Sequence, residues 1–332
     1  MFKKDNAAVI QEYLAKFSHL MAFHDPLLFN HLDGIGFIPD LYAIPWILTM
    51  FAHVFPLQSI FHLWDKVRIC LRNLVRFTCI FYFQLLLGNE SFPLCVALAI
   101  LSQLKARLLE AEFNDCILLF SDLPAIDIEE CVNESIRIFC ATPKSLTFRR
   151  FGLATQPIDN DLSLSSITLA MQKEDRVPRI SGEELLILLG HRKSQSESDE
   201  GHHFIHPARP KAFVIDVRSK SEFKLGALPD SLNIPYNNAE TFDSETGELK
   251  VKHEALELAR LKKSKVVCVV GSTAGQSDAK SFAEQLLKLN YFRVCYLHNG
   301  IEIFRTLNGI LCVPDTWKVK LVINIGSTRS PR

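Results

Sequence analysis

Residues 265–280 read KVVCVVGSTAGQSDAK and are the part of the sequence best suited to chemistry. An apolar run ends at a glycine, a short polar loop follows, and the next residues have the pattern of a helix start. Two glycines, two hydroxyl groups and a helix amino terminus are enough to cradle a phosphate or a carboxylate. The loop and the first helical residues are Gly271, Ser272, Thr273, Ala274, Gly275, Gln276 and Ser277.

The loop lacks the residues of two common anion-handling motifs. A Walker loop needs Gly-Lys-Ser/Thr at a fixed spacing, and no such triplet follows here. A cysteine phosphatase needs Cys-x5-Arg, but the count from Cys268 ends at Ala274. Cys268 lies within the apolar run, where a thiol is expected to be an inert part of the core. Two interpretations stay open: an empty, degenerate loop, which we favour, and a loop that binds an anion.

The loop lies in the second half of the chain, where short apolar runs and helical stretches follow one another. The runs KAFVIDVR, SLNIP, KVVCVVG and RVCYL predict strands, and DAKSFAEQLLKL predicts a helix between the last two. Alternation of this kind predicts an α/β domain with a parallel sheet and right-handed crossovers. Ser181 followed by Glu184 predicts a capping box near the start of this domain.

The first half of the chain is predicted to be almost entirely helical. Apolar residues recur there at helical spacing: Val9, Tyr13, Phe17 and Leu20, and later Ile128, Val132, Ile136 and Phe139. The periodicity fades over residues 144–176, which predicts a linker. The predicted organisation is therefore a helical domain at 1–143, this linker, an α/β domain at 177–315 and a tail at 316–332.

The composition disfavours several classes of function. Lys plus Arg and Asp plus Glu both number 37, so no overall charge favours nucleic acid or an anionic membrane surface. The nine cysteines are odd in number and include no Cys-x-x-Cys pair, which is typical of a reducing compartment and not of a zinc site. We therefore expect a cytoplasmic protein without a metal or a cofactor.

Three segments suggest other interpretations. Residues 74–87 are apolar but contain Arg76 and Gln84, and they fall short of the about 20 residues of a membrane span. We predict a core segment there and no membrane span. The N-terminal residues carry charges throughout and do not resemble a signal peptide. A tract formed by His202, His203 and His206 suggests metal binding, but a polar loop is the simpler interpretation.

The α/β half resembles the rhodanese family. The stretches VIDVRSKSEFKLGALPDSLNIP, which contains Asp216 and Arg218, and VCYLHNGIEIF, which contains Gly300, carry the resemblance, which covers residues 177–315. In active members the resemblance implies a loop cysteine that holds sulfur as a persulfide, with an arginine at the end of the loop. Gly271 occupies the cysteine position and Gln276 the arginine position, so the resemblance implies an inactive domain.

The helical half resembles the C-terminal part of a TBC domain, a module that accelerates GTP hydrolysis on Rab GTPases. The residues that carry the resemblance include Trp46, Phe51, Phe55, Trp64 and Asp65. The family's catalytic arginine, in Ile-x-x-Asp-x-x-Arg, and its glutamine, in Tyr-x-Gln, precede the Trp-Asp pair. Residues 1–63 contain neither motif, and the Tyr-Phe-Gln at 82–84 falls after the pair. Residues 66–84 form an insert that is atypical of the family.

Together the two resemblances imply a non-catalytic adaptor in Rab-linked membrane traffic. The expected partner is a Rab GTPase or a multi-subunit trafficking complex, with a cytoplasmic location that can be peripheral on endosomal membranes. Three alternatives stay open: a Rab GTPase activator, a sulfurtransferase, and an anion sensor that uses the 271–277 loop. The missing arginine and glutamine count against the first alternative, and Gly271 counts against the second.

Overall fold

The chain forms two compact units. The computed structural model describes residues 6–52, 55–56, 60–61, 91–147, 164, 166–191, 212–237, 241–243, 248–251, 253, 256–257, 265–305, 307 and 309–314. One unit holds the described residues up to 178 except 164, and the other holds residue 164 and those from 179 onward. Trp64, Asp65, the insert at 66–84, the apolar stretch at 74–87 and the histidine tract at 202–206 lie outside the described residues.

The first unit is helical, as the sequence predicts. Its elements are α1 Asn6–His24, α2 Pro26–Gly34, a 3-10 turn Pro39–Leu41, α3 Ala43–Leu48, α4 Phe92–Glu110, α5 Phe113–Ser121, α6 Ile128–Ala141, a 3-10 turn Lys144–Thr147 and α7 Leu169–Glu174. Helix α4 packs against α6, α1 and α2. Asp25 caps α2 by accepting a hydrogen bond from Leu28 N at 3.2 Å. The same carboxylate pairs with Lys105 of α4 at 2.7 Å, which ties the two helices together.

The buried faces of two helices differ from the predicted ones. In α6 the buried residues are Cys131, Val132, Ser135 and Ile138. The helical period is therefore correct and Val132 is buried as predicted, but Ile128, Ile136 and Phe139 are only half-buried. Helix α1 is buried on more than one side, because α2, α4 and α7 all contact it. It consequently buries Glu12, Lys16 and His19, which a single apolar face does not predict.

The stretch predicted as a linker contains structure that belongs to the helical unit. Helix α7 packs on α1, and residues 166–178 cluster with this unit. The buried ring of His19 donates from Nε2 to the backbone oxygen of Asp175 at 2.7 Å. Arg176 forms an ion pair with Asp33. A helix of six residues shows almost no periodicity, which is why the sequence pattern missed it.

Helix α4 is the one helix among the described residues that is long and apolar enough to cross a membrane. Length and composition alone support that possibility. Of the apolar 18-residue stretch of this helix, 67% is buried inside the helical unit. The helix therefore has the burial expected of the core helix of a globular domain.

The second unit is built on a parallel sheet. Its elements are β1 Arg179–Ile180, α8 Gly182–Leu188, β2 Ala212–Asp216, α9 Lys220–Leu225, β3 Leu232–Asn233, β4 Val266–Val270, α10 Gln276–Lys288, β5 Val294–Leu297 and a 3-10 turn Ile301–Phe304. The strand order is β1-β5-β4-β2-β3, and all neighbouring strands are parallel. This confirms the α/β fold class. Ser181 caps α8 by accepting from Glu184 N at 3.2 Å, at the predicted helix start.

Strand β4 lies in the middle of the sheet and is buried along its whole length. It pairs with β2 on one side, from Ala212 opposite Val266 to Asp216 opposite Val270, and with β5 on the other. Both faces are covered, which explains the continuous apolar sequence of this strand. The carboxyl ends of β2, β3 and β4 therefore meet at one edge, where the loop begins.

Candidate functional site

The 271–277 loop follows the central strand and opens α10. In open parallel sheets this edge is where ligands bind. A cleft of about 280 Å³ lies there, with Arg218, Glu222, Tyr236, Ser272 and Asp278 among the residues that line it. The cleft thus combines the first residues after β2 and β4 with residues of α9 and α10, and it is the place where a rhodanese-like domain would perform chemistry.

The loop is folded tightly around Gly271. A Cβ atom at this position would lie 3.0 Å from the backbone oxygen of Gly275 and 3.1 Å from the Cβ of Ala279. Both distances are shorter than ordinary carbon contacts. Any side chain at position 271 therefore requires the loop or the first turn of α10 to move. The expected nucleophile position therefore carries no reactive group, and a larger residue there would crowd the loop.

The backbone of the loop is engaged by the protein's own acceptors. The N–H of Thr273 donates to Glu302 Oε2 at 2.7 Å. The Thr273 hydroxyl lies 2.6 Å from the backbone oxygen of Asn299 and 2.9 Å from the same carboxylate oxygen. The N–H of Gly275 donates to Ser272 Oγ at 2.9 Å. An incoming anion would have to compete for the Thr273 amide with a carboxylate that is already bound.

Gly300 permits the close approach of the segment that carries Glu302. Its φ angle is +71°, and a Cβ atom there would lie 2.5 Å from Thr273 N and 2.6 Å from the carbonyl carbon of Ser272. Only glycine is compatible with both conditions. The next residue, Ile301, donates its N–H to Gly271 O at 3.0 Å. The sequence pattern identified Gly300 but gave no signal for the role of Glu302.

Gln276 begins α10 at the position of the family's arginine. Its side chain is neutral, so it adds no positive charge to the loop. Its Nε2 atom is buried and has no hydrogen-bond partner in the described part of the chain. The N-cap residue Gly275 likewise provides no side-chain cap. Stabilisation of an anionic sulfur atom would therefore depend on the backbone alone.

Among the described residues that line the cleft, the one arginine is already paired. The Arg218 side chain donates to Asp216 from Nη2 to Oδ2 at 2.7 Å and from Nε to Oδ1 at 3.0 Å and Oδ2 at 3.2 Å. Its Nη2 also donates to the backbone oxygen of Gly226 at 2.8 Å. Arg218 is only 7% exposed, so this bidentate pair positions β2 and α9 and leaves little charge for a ligand.

The other charged groups among the described lining residues are carboxylates. Glu222 forms a capping box with Ser219, whose hydroxyl donates to Oε2 at 2.6 Å and whose N–H donates to the same atom at 3.1 Å. The hydroxyl contact, assisted by the backbone bond and the nearby Arg218, lowers the pKa of Glu222. Asp278 lies across the cleft in the first turn of α10. Two carboxylates do not favour an anionic substrate.

Cys268 is the only cysteine near the loop in the described residues, and it points to no chemistry. It is fully buried in the middle of β4, directly opposite Cys295 of β5. Burial, together with the neighbouring Cys268, raises the pKa of Cys295. Two buried thiols that solvent cannot reach are a packing feature of the sheet, because a reactive cysteine needs exposure as a thiolate.

The aromatic residues that suggested a TBC domain form part of the helical core. Trp46 and Phe51 are buried, and their ring centroids lie 6.3 Å apart. Phe55 follows at 6.4 Å from Phe51. These three residues thus form one aromatic row that begins in α3 and continues beyond its end.

Comparison with known proteins assigns both units to families. A profile of the Rab-GTPase-TBC domain matches residues 1–109, and a profile of the rhodanese-like domain matches residues 204–306. The TBC domain-containing protein kinase-like protein of Mus musculus is 45% identical over 340 residues, and that of Homo sapiens is 44% identical, each covering 95% of this chain. The chain belongs to the same family as these proteins. As a member of that family, it combines a TBC region with a rhodanese-like domain.

The chain spans about 35% of the length of these curated relatives. A more distant relative is the GTPase-activating protein GYP5 of Eremothecium gossypii, which is 35% identical over 83 residues, or 25% of this chain and 10% of that protein. The TBC region therefore places the chain in a Rab-GAP-like family, whose members act on Rab GTPases.

Proposed function

We propose that the chain is a non-catalytic adaptor or regulatory protein of Rab-linked membrane traffic. In this proposal the TBC region binds a Rab GTPase or a subunit of a trafficking complex without accelerating hydrolysis. The rhodanese-like domain serves as a folded binding module without sulfurtransferase activity. The protein is expected in the cytoplasm, where it can associate peripherally with endosomal membranes.

The observation that carries the proposal is the crowding around Gly271. A sulfurtransferase needs a thiolate at this position, because Ser and Thr hydroxyls cannot hold a persulfide. The 3.0 Å and 3.1 Å distances to Gly275 O and Ala279 Cβ mean that a cysteine side chain here would force the loop or the first turn of α10 to shift. The carboxylates of Glu222 and Asp278 also oppose the binding of an anionic sulfur donor.

The TBC region supports the proposal through the residues it does not contain. Residues 1–63 include no arginine and no Tyr-x-Gln triplet. In GTPase activation an arginine finger neutralises charge in the transition state, and a glutamine orients the attacking water. A region with neither residue in place can still bind a Rab through its surface, but we expect it to contribute little to hydrolysis.

Binding to GTP-loaded Rab proteins tests the proposal. The full chain is immobilised and exposed to a panel of purified Rabs, each loaded with GDP or with a non-hydrolysable GTP analogue. We expect at least one Rab to bind preferentially in the GTP form. Failure of every Rab to bind would contradict the Rab part of the proposal, and thiocyanate formation from thiosulfate and cyanide above the blank would contradict the non-catalytic part.

A GTPase activator is the second candidate. The printed name of the Eremothecium gossypii relative, GTPase-activating protein GYP5, favours it. The absence of the motif arginine counts against it for this chain. An anion sensor is a third candidate, and the engagement of the Thr273 amide by Glu302 counts against that one.

A further inference from the structure

An aromatic groove of about 260 Å³ lies on the helical unit between the Pro39–Leu41 turn, α3 and α5. Its floor is formed by Phe37, Tyr42, Trp46 and Phe120. The ring centroids are close: 5.1 Å between Phe37 and Tyr42, 4.6 Å between Tyr42 and Phe120, and 5.4 Å between Trp46 and Phe120. Rings packed this closely hold one another in place, so the groove is formed before any ligand arrives.

Exposed apolar side chains extend the groove onto the surface. Leu41 at one edge is 48% exposed, and Ile117 at the opposite edge is 40% exposed. Phe113 lies one turn before Ile117 on α5 and contacts Phe37, with ring centroids 5.9 Å apart. The apolar surface therefore runs along α5 for more than one helical turn. A continuous apolar surface of this kind is typical of an interaction site.

Tyr42 contributes a buried hydroxyl to the wall of the groove. Tyr42 lines the groove and is only 3% exposed. Its hydroxyl has no hydrogen-bond partner within the described part of the chain. Burial raises the pKa of Tyr42, so the phenol stays protonated and remains a donor. A buried donor without an acceptor is unfavourable, and a ligand whose carbonyl or carboxamide oxygen reaches the hydroxyl would relieve this cost.

The rim of the groove is acidic. Asp40 is adjacent to Leu41, and Asp122 lies between the groove residues Ser121 and Leu123; both aspartates are exposed. No Lys, Arg or His occurs in residues 35–48 or 115–125, the two segments that supply the groove. A partner with Lys or Arg beside its apolar residues would complement this rim.

We propose that the aromatic groove docks an amphipathic helix of a partner protein. This helix would present two or three apolar anchors at i, i+3 or i+4, and i+7, with Lys or Arg flanking them. An acceptor oxygen near the central anchor would take the hydrogen bond from Tyr42. The groove thus adds a second interaction surface to the chain, and it does not depend on whether the chain binds or activates a Rab.

Selection from a displayed library of helix-forming peptides tests the proposal directly. The full chain is the target, and Ile117→Glu serves in counter-selection. We expect a consensus with apolar residues at helical spacing and Lys or Arg beside them. An acidic consensus, a consensus without helical spacing or no enrichment at all would each overturn the proposal.

Point variants then locate the bound peptide on the groove. The probe is a fluorescein-labelled peptide of the selected consensus, followed by anisotropy. We expect Ile117→Glu to weaken binding at least tenfold and Leu118→Glu, on the same helix but outside the groove and 68% exposed, to change it less than twofold. Tyr42→Phe should weaken binding several-fold without altering the circular dichroism spectrum. Equal effects of the two glutamate variants would overturn the proposed location.

Charge and self-association supply the remaining outcomes. Asp122→Asn should weaken binding several-fold and reduce its dependence on salt, because it removes part of the acidic rim. If Ile117→Glu lowers the melting temperature, the location of the peptide is judged from Asp122→Asn and Tyr42→Phe instead. If both of these variants bind the peptide as tightly as the wild type, the proposal is overturned. Light scattering that shows a dimer converted to monomer by Ile117→Glu would assign the groove to a second copy and would also overturn it.

Discussion

At position 271 the size of one side chain controls what the loop can do. Gly271→Cys would place a thiol where the rhodanese family has one, but its Cβ would press against Gly275 O and Ala279 Cβ. We predict that this variant forms no thiocyanate above the blank and loses about 1–3 kcal/mol of unfolding free energy through overpacking. Thiocyanate colorimetry and urea unfolding of the same samples measure the two effects.

Gly271→Cys combined with Gln276→Arg provides the comparison for this prediction. The arginine restores the missing positive charge but leaves the crowding unchanged. Activity in the double variant alone would show that charge, not space, limits the loop. Activity in the Gly271→Cys variant alone would contradict the prediction, because neither charge nor space would then be limiting.

The capping box at Ser219 and Glu222 makes a small part of the stability dependent on pH. The Ser219 hydrogen bonds lower the pKa of Glu222, so their contribution is present above the unfolded pKa and is lost as the pH falls through the folded pKa. We predict that Ser219→Ala costs about 1 kcal/mol at pH 7 and that the gap from wild type narrows in acid. Urea unfolding across pH measures the gap.

An NMR titration of the Glu222 carboxyl completes this experiment. In Ser219→Ala its pKa should rise toward the ordinary value, whereas in Ser277→Ala, an exposed serine of α10, it should not change. A Glu222 pKa that is the same in wild type and in Ser219→Ala would disprove the assigned cause.

At the scale of elements, the length of each hydrophobic pattern explains which strands the sequence could predict. The apolar runs that became β2, β4 and β5 are four or five residues long, and both faces of β4 are covered, so their signal is strong. Strand β1 has only two residues and is joined to the sheet through Tyr296 and Leu297, a long-range pairing that no local pattern reveals. The loop position followed from the family pattern, but its closure depends on Glu302, which lies far from it in sequence.

Helix α7 provides a further element-scale prediction. His19 joins α1 to the residue after α7 through the bond to Asp175 O. Loss of a buried hydrogen bond costs about 1–3 kcal/mol, so His19→Ala should speed amide exchange in residues 169–175 by about tenfold or more. Hydrogen exchange with mass spectrometry of the full chain measures this change.

His24→Ala serves as the matched control, because His24 lies on the same helix and its Nε2 lies 2.7 Å from the Thr142 hydroxyl, at a different place from the Asp175 bond. We expect it to leave exchange at 169–175 unchanged. Fast exchange of this segment in the wild-type chain would show that residues 166–178 behave as the linker that the sequence pattern predicted.

At the scale of the whole molecule, each unit keeps the architecture of a family while its reactive positions differ. The sheet, the loop and the Gly300 approach of the α/β unit are intact, although the nucleophile position is glycine. The helical unit likewise keeps a large buried core around α4 and the row from Trp46 to Phe55. Packing and catalysis depend on different residues, so an intact core does not by itself predict activity.

A GTPase assay with the whole chain tests whether its TBC region accelerates hydrolysis on a Rab. An arginine finger contributes about 10³ to 10⁵ in rate, so a chain without that arginine and without the motif glutamine should leave intrinsic hydrolysis nearly unchanged. We predict less than a twofold change in the single-turnover rate of any Rab that binds the chain, measured by phosphate release at saturating protein. A catalytic TBC domain assayed on the same Rab shows that the substrate is competent. A tenfold acceleration by this chain would refute the prediction. The variant Gln84→Ala would then locate the source of the activity. Loss of acceleration would assign it to the Tyr-Phe-Gln at 82–84, whereas full retention would assign it to residues outside both family motifs.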